Sequence, residues 1–305
     1  MTAPPSIFSR FEPWEGEVEP GWDVNWIGVR TRAAVRNARG YAVPTLVRAE
    51  LPSLSEDYFE WIDVLESVYE AEEGFTMVEL GAGWGRWLVN AAVASRQLRP
   101  DRSLRLVGVE AEPTHFRWLE QHLRDNGLDP GQHKLIKAAV AEVDGRVRFQ
   151  RGAAAEWYGQ AIERDDPVSK LSGPVSRLIR WTRNSVANRV AFGPDARKTR
   201  RTPAVSLNSL LRPFDMVDLV DADIQGVEAD VFEAAPDELA RKVRRVHIGT
   251  HDRENELRLR LLFERLGWES RFDYGCHERN DTEWGPLIFE DGVQSWINPA
   301  LRPPG

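Results

Sequence analysis

Residues 75–85, Phe75-Thr76-Met77-Val78-Glu79-Leu80-Gly81-Ala82-Gly83-Trp84-Gly85, decide how the chain is read. A short, largely apolar run of strand length (75–80) passes into three alternating glycines, and residues 86–98 (RWLVNAAVASRQL) continue as a helix. A strand that turns into a helix through glycines marks the rim where an open α/β sheet binds ligands, because strand end, tight turn and helix N-terminus converge there. Glycine also lets the backbone approach a ligand closely and take a positive φ. The spacing is G-x-G-x-G, not the G-x-G-x-x-G that brings a dinucleotide pyrophosphate onto a helix N-terminus. An acidic residue, Glu79, precedes the first glycine by two positions.

Outward from this stretch the pattern repeats. Ser53 and Glu56 have the spacing of a capping box, and Phe59, Ile62, Leu65, Val68 and Tyr69 predict a helix over 54–72 that Gly74 stops. Strands are expected at 104–110, 134–140 and 146–150, with a helix from Thr114 to Asn126. The alternation breaks near 151. It resumes with a strand at 216–223, a helix at 226–240, a strand at 243–251, a helix at 253–266 and a terminal hairpin of WESRFDY and PLIFE. Strands alternating with helices of this length predict an α/β fold with a doubly wound, mostly parallel sheet. The expected organisation is a Pro-, Gly- and Trp-rich cap with a leading helix (1–73), the first half of the core (74–150), an inserted helical segment or lid (151–203), the second half of the core (204–290) and a tail (291–305).

The 305 residues, 42% of them hydrophobic, can bury a sizeable core. A net charge of −8 argues against a nucleic-acid partner, whose phosphates call for a basic surface. The insert is the exception, with ten Lys/Arg against three Asp between Arg164 and Arg201. Within it, Val175, Leu178, Ile179, Val186 and Val190 form an apolar stripe over 174–192, expected to pack on its own domain rather than on a membrane surface. Its length marks the insert as a lid or substrate-facing arm. Cys276 is the single cysteine, which rules out an intrachain disulfide and fits a reducing compartment. The start of the chain shows no signal-peptide pattern and no apolar run reaches membrane-spanning length, so a cytoplasmic location is expected.

The segment V-E-L-G-A-G-W-G (78–85) resembles motif I of the class I S-adenosylmethionine (SAM)-dependent methyltransferases. With V-G-V-E-A-E-P (107–113), D-L-V-D-A-D-I-Q-G-V-E (218–228) and H-I-G-T-H (247–251), the chain resembles the FkbM-type methyltransferase family over about 75–270. The family form D-[VI]-[EQ]-G-x-E falls on Asp223 to Glu228, while Asp221 stands where members often have Lys. The resemblance implies a Rossmann-like core, SAM as cofactor, and O-methylation of a small-molecule or glycan hydroxyl, commonly on a sugar or natural product. SAM carries no pyrophosphate, and its cationic groups favour a nearby carboxylate such as Glu79. Expected cofactor-binding residues are Glu79, Gly81, Ala82, Gly83, Gly85, Glu110 and Ala139; Glu110 would accept from the ribose hydroxyls, with Glu112 as its rival.

For the chemistry, Asp223 and His251 leave adjacent strand ends, and Glu228 follows in the first turn of the next helix. His247 and His251, four apart, share one face at strand period, and His251 lies nearer the rim. His251 is expected to be the general base, with Asp223 orienting the acceptor or the base. Glu228 is the third catalytic candidate. Asp221, Asp223, Glu228 and His251 also offer ligands that Mg²⁺ accepts, although no spacing assigns a metal. The rival readings are a nicotinamide-dependent oxidoreductase and a catalytically silent SAM-binding protein.

Overall fold

The computed structural model describes residues 5–36, 40–151 and 198–302. The stretch 174–192 and most of the positive charge of the insert lie outside them. The cap forms two small antiparallel sheets: β1 (Glu15–Val18) pairs with β4 (Thr45–Arg48), and β2 (Trp22–Val24) with β3 (Arg30–Arg32). The cap also holds two 3-10 turns, Ser6–Arg10 and Ala33–Arg36. Aromatic contacts dock the cap onto helix α1 (Glu56–Glu70), with Trp26 and Trp61 5.3 Å and Phe8 and Tyr58 5.2 Å apart. The capping box does not form. Ser55, not Ser53, is the N-cap, so Glu56 falls in the first turn and its carboxylate accepts N–H groups of Glu290 and Asp291 instead.

The core follows in chain order: β5 (Gly74–Leu80), α2 (Arg86–Leu98), β6 (Ser103–Val109), α3 (Pro113–Asp125) and β7 (Lys134–Ile136). The predicted strand over 134–140 divides, because β8 (Ala139–Ala141) leaves the main sheet and joins β9 (Gly145–Arg151) and β10 (Lys198–Ser206) in the order β8-β10-β9. Residues 198–203 of the expected insert are therefore a strand, paired along its length with β9. Then come α4 (Leu207–Leu211), β11 (Leu219–Ala222), α5 (Glu228–Glu233), α6 (Pro236–Lys242), β12 (Arg245–Gly249) and α7 (Arg253–Arg265). The helix predicted over 226–240 is two, because Pro236 lacks an N–H to continue the first and is suited to open the second.

The chain closes with β13 (Glu269–Tyr274), β14 (Arg279–Thr282), β15 (Gly285–Ile288) and β16 (Val293–Ile297). PLIFE does not pair with WESRFDY: β15 pairs with β14, and β13 pairs with β16, which also pairs antiparallel with β12. The expected tail thus supplies a strand to the sheet. Among the described residues that sheet has seven strands, ordered β13-β16-β12-β11-β5-β6-β7, parallel from β12 to β7. Alternation along β5 feeds two apolar layers: Phe75 and Met77 pack under α1, α2 and the cap, Val78 and Leu80 under α4 to α7. The chain leaves β5 toward β6 and later returns on its other side with β11. That makes the carboxyl end of β5 the switch point where such sheets open a crevice.

Candidate active site

The glycine loop turns at this crevice. Gly81, Gly83 and Gly85 all have positive φ (79°, 52° and 74°), which L side chains rarely adopt. The Gly81 and Ala82 N–H groups donate to the Val109 carbonyl at 3.0 and 2.9 Å, fastening the loop to β6. A Cβ at Gly81 would lie 1.9 Å from the Asp223 carbonyl oxygen, so the loop closes against the end of β11. Beyond it opens a cavity of about 440 Å³. Gly81, Ala82, Gly83, Glu79, Glu110 and Ala139 line it, joined by Phe149 from β9.

Each acidic residue has its own commitments. The Glu79 carboxylate accepts the Trp87 and Leu88 N–H groups of α2 (3.4 and 3.3 Å), and burial and the nearby Asp221 push it well above its usual range. Glu110 accepts from the Gly83 N–H at 2.8 Å and the Glu112 N–H at 2.6 Å, while burial raises it to about 7. Glu112 faces a different task, capping α3 by accepting from the Thr114 and His115 N–H groups. Of the two rivals, Glu110 lines the cavity.

Asp223, His251 and Glu228 do come together, with consequences for the expected roles. The strand ends at Gly249, and His251 takes a left-handed conformation (φ 63°), so the shared strand face with His247 ends before it. Its Nε2 lies 3.1 Å from Asp223 and its Nδ1 3.0 Å from Glu228. Burial opposes ionisation, but hydrogen bonds to the two carboxylates and their charges raise the imidazole to about 11. Both ring nitrogens are thus engaged by carboxylates, an arrangement that favours the imidazolium over the free base that the general-base role calls for. The same contact holds Asp223 below its usual range.

Glu228 is fully buried, accepting from the Ile224 and Gly226 N–H groups at 3.1 and 3.0 Å and from the Asn255 amide at 3.0 Å. It shapes the 224–226 turn and holds His251. Asp223 and Glu228 sit at opposite nitrogens of one ring, which removes them and His251 as a joint metal set.

The sequence reading missed the contribution of α1. Glu60 meets Asp221 in the cavity; burial and the Asp221 charge push Glu60 well above its usual range, and burial raises Asp221 to about 6. Asp63, fully buried, contacts His247 Nδ1 at 2.7 Å and accepts from Arg245 and Ser295 at 2.8 Å each. The available signal was an acidic residue, Asp63, inside the apolar stripe Phe59-Ile62-Leu65.

The charge of the cavity is one-sided. Its lining holds Glu56, Asp57, Glu60, Glu79, Glu110, Asp221, Asp223 and Asp291 against the guanidinium groups of Arg36 and Arg86. A second cavity of about 360 Å³ shares Arg36, Trp84 and Arg86 with the first and is walled by Asp23, Asn25, Trp26, Thr31, Trp61 and Asn90.

No known family model matches the chain. Over 97% of its length it is 26% identical to a protein of Jannaschia sp. (strain CCS1) named "Putative methyltransferase", covering 99% of that protein. Among solved structures, it resembles the methyltransferase FkbM of Methylobacillus flagellatus KT (TM-score 0.44, 11% identity), with 74% of this chain aligned. The match spans only 44% of that chain. It also resembles the precorrin-6y C5,15-methyltransferase of Geobacter metallireducens GS-15 (TM-score 0.37, 10% identity; 80% of this chain and 89% of that one). No described helix is long and apolar enough to cross a membrane. The chain is thus similar over nearly its whole length to a protein named as a methyltransferase, and its core is a seven-stranded, mostly parallel Rossmann-like sheet.

Proposed function

We propose that the protein is a SAM-dependent methyltransferase acting on a hydroxyl of a sugar or natural-product acceptor, as its FkbM-type resemblance implies. The observation that carries the choice of donor is the acidic lining of the cavity, eight carboxyl groups, of which burial holds Glu60 and Glu79 well above their usual range, against two guanidinium groups. Two unit charges 4 Å apart interact by about 4 kcal/mol at an effective dielectric near 20. A nicotinamide dinucleotide would bring two phosphates into that field, whereas SAM brings a sulfonium and an ammonium. SAM, when bound, supplies the methyl group. The Gly81–Gly85 loop offers close backbone approach, Glu110 an acceptor for ribose hydroxyls, and Ala139 with Phe149 an apolar wall for a flat ring.

The second cavity suits the acceptor. Indole, amide and hydroxyl groups line it, and the buried Trp26 Nε1 and Asn90 Nδ2 have no hydrogen-bond partner among the described residues. Asn90 keeps its Oδ1 for the Asn25 amide (2.8 Å), which fixes Nδ2 as a spare donor. The indole, amide and hydroxyl groups of the wall suit a ligand rich in oxygen lone pairs. In the first cavity, Asp223 keeps 59% of its side chain exposed, and His251 holds it ionised to orient the acceptor hydroxyl. Thermal shift with SAM, S-adenosylhomocysteine, NAD and NADP tests the donor, since a ligand at 100 times its Kd stabilises by about 2.7 kcal/mol. Stabilisation by NAD or NADP alone would overturn the reading. Binding of S-adenosylhomocysteine without turnover on any glycan or polyol of a broad panel would favour a silent binder.

A further inference from the structure

The two ends of the α1–sheet interface meet on the cavity floor. Glu60 of α1, Asp221 of β11 and His247 of β12 each bring one donor atom to a cluster whose atoms all lie within 4.8 Å of one another. We propose that these three residues form a binding site for a divalent first-row transition ion, with the remaining coordination positions open to the cavity.

The histidine carries the argument beyond an acidic cluster. Its side chain is 5% exposed, and its Nδ1 is committed to the ionised Asp63 carboxylate at 2.7 Å. The proton therefore sits on Nδ1, and Nε2 keeps its lone pair with no hydrogen bond to a described residue. A buried imidazole oriented by a carboxylate on its far nitrogen is the arrangement that holds metal-bound histidines. Asp63 is itself held by Arg245 and by the Ser295 hydroxyl, so the ring has little freedom. On the other side, two carboxyl groups in contact need a proton or a cation between them.

Distances and donor types agree. Neighbouring donors of one ion stand about 3–3.6 Å apart for bonds near 2.1 Å, so side-chain shifts of about an ångström close the site. One imidazole and two carboxylates suit Mn²⁺, Fe²⁺ or Zn²⁺ better than Mg²⁺ or Ca²⁺, which take oxygen alone. Placed in the cavity, such an ion would take an acceptor oxygen as a ligand and make a hydroxyl more acidic. That last role rests on the proposed methyl transfer; the binding site itself does not.

The test uses the full chain, stripped with EDTA, dialysed into metal-free buffer and titrated with MnCl₂ while free Mn²⁺ is read by electron paramagnetic resonance. One Mn²⁺ per chain is expected. Asp221→Asn and Glu60→Gln, each with an unchanged circular dichroism spectrum, should each weaken binding by about tenfold or more. No saturable site up to about 1 mM, the weak end of cation sites, would overturn the proposal. So would variants that keep wild-type affinity, or stoichiometric displacement of Mn²⁺ by SAM, which would assign the cluster to the donor ammonium. Saturable Mn²⁺ binding in a protein that ignores S-adenosylhomocysteine would support the ion site and sink the choice of donor.

Discussion

Replacing His251 with asparagine removes a cation while keeping a side chain that tolerates the left-handed backbone at this position (φ 63°). The two carboxylates it leaves behind differ in exposure, 59% for the Asp223 side chain and none for Glu228. Asp223 can rehydrate; Glu228 cannot. Removing one partner of a buried ion pair costs about 3–5 kcal/mol. Because Glu228 keeps the Ile224, Gly226 and Asn255 donors, a loss of about 2–3 kcal/mol is expected at pH 7. An imidazole raised from 6.5 to about 11 contributes stability that is full below the lower value and disappears as pH rises through the higher one. The gap in urea-unfolding free energy between wild type and His251→Asn is therefore widest below about pH 6.5 and narrows as pH rises toward 11. A gap that stays constant between pH 7 and about pH 10.5, or one that widens, would refute the imidazolium. The same pair of proteins checks the chemistry: at saturating SAM, where the Glu110 effect on binding drops out, a neutral histidine base would give wild-type kcat an acidic limb near its ordinary pKa of about 6.5, and an imidazolium adds none.

Gly81→Ala should destabilise the fold by about 2–4 kcal/mol, combining overpacking against the Asp223 carbonyl with the left-handed backbone cost. Calorimetry should show S-adenosylhomocysteine binding lost in the fraction that still folds, and wild-type affinity would place the ligand away from the loop. SAM affinity should fall as pH drops through about 7, where Glu110 takes up a proton and ceases to be a charged acceptor. Glu110→Gln should flatten that dependence and weaken binding by about 1–3 kcal/mol above it; a profile unchanged in the variant would mean that Glu110 does not face the ligand.

Much of the architecture was legible because it is written in local pattern. The helix from Arg86 to Leu98 and the strand into Gly81 fall within a residue of expectation, since periodicity and glycine punctuation act over few residues. β16 was hidden for the opposite reason: Gln294 and Ser295 are fully buried, so no apolar alternation marks the strand. Their polarity is satisfied by Glu256, Asp273 and Asp63, partners far along the chain. The site divides in the same way. Glycine loop, Glu110 and Asp223 follow from position along a strand, whereas the charge state of His251 depends on which carboxylates the fold places at its two nitrogens. Glu60 and Asp63 were passed over because acidic residues on an amphipathic helix ordinarily face water.

Asp63 also sets a condition on how the chain can assemble. It lies on the helix that precedes the first core strand, yet its partners Arg245, His247 and Ser295 are 182, 184 and 232 residues away. During synthesis α1 and β5 emerge early, but seating α1 before β12 arrives would strand a charge in a dry interior at a cost of several kcal/mol. Early docking is therefore uphill, and the first half waits for the last strands. Such long-range closure slows folding and ties both halves into one cooperative unit. Nascent chains halted before β16 should accumulate as protease-sensitive intermediates rather than as an independently folded half.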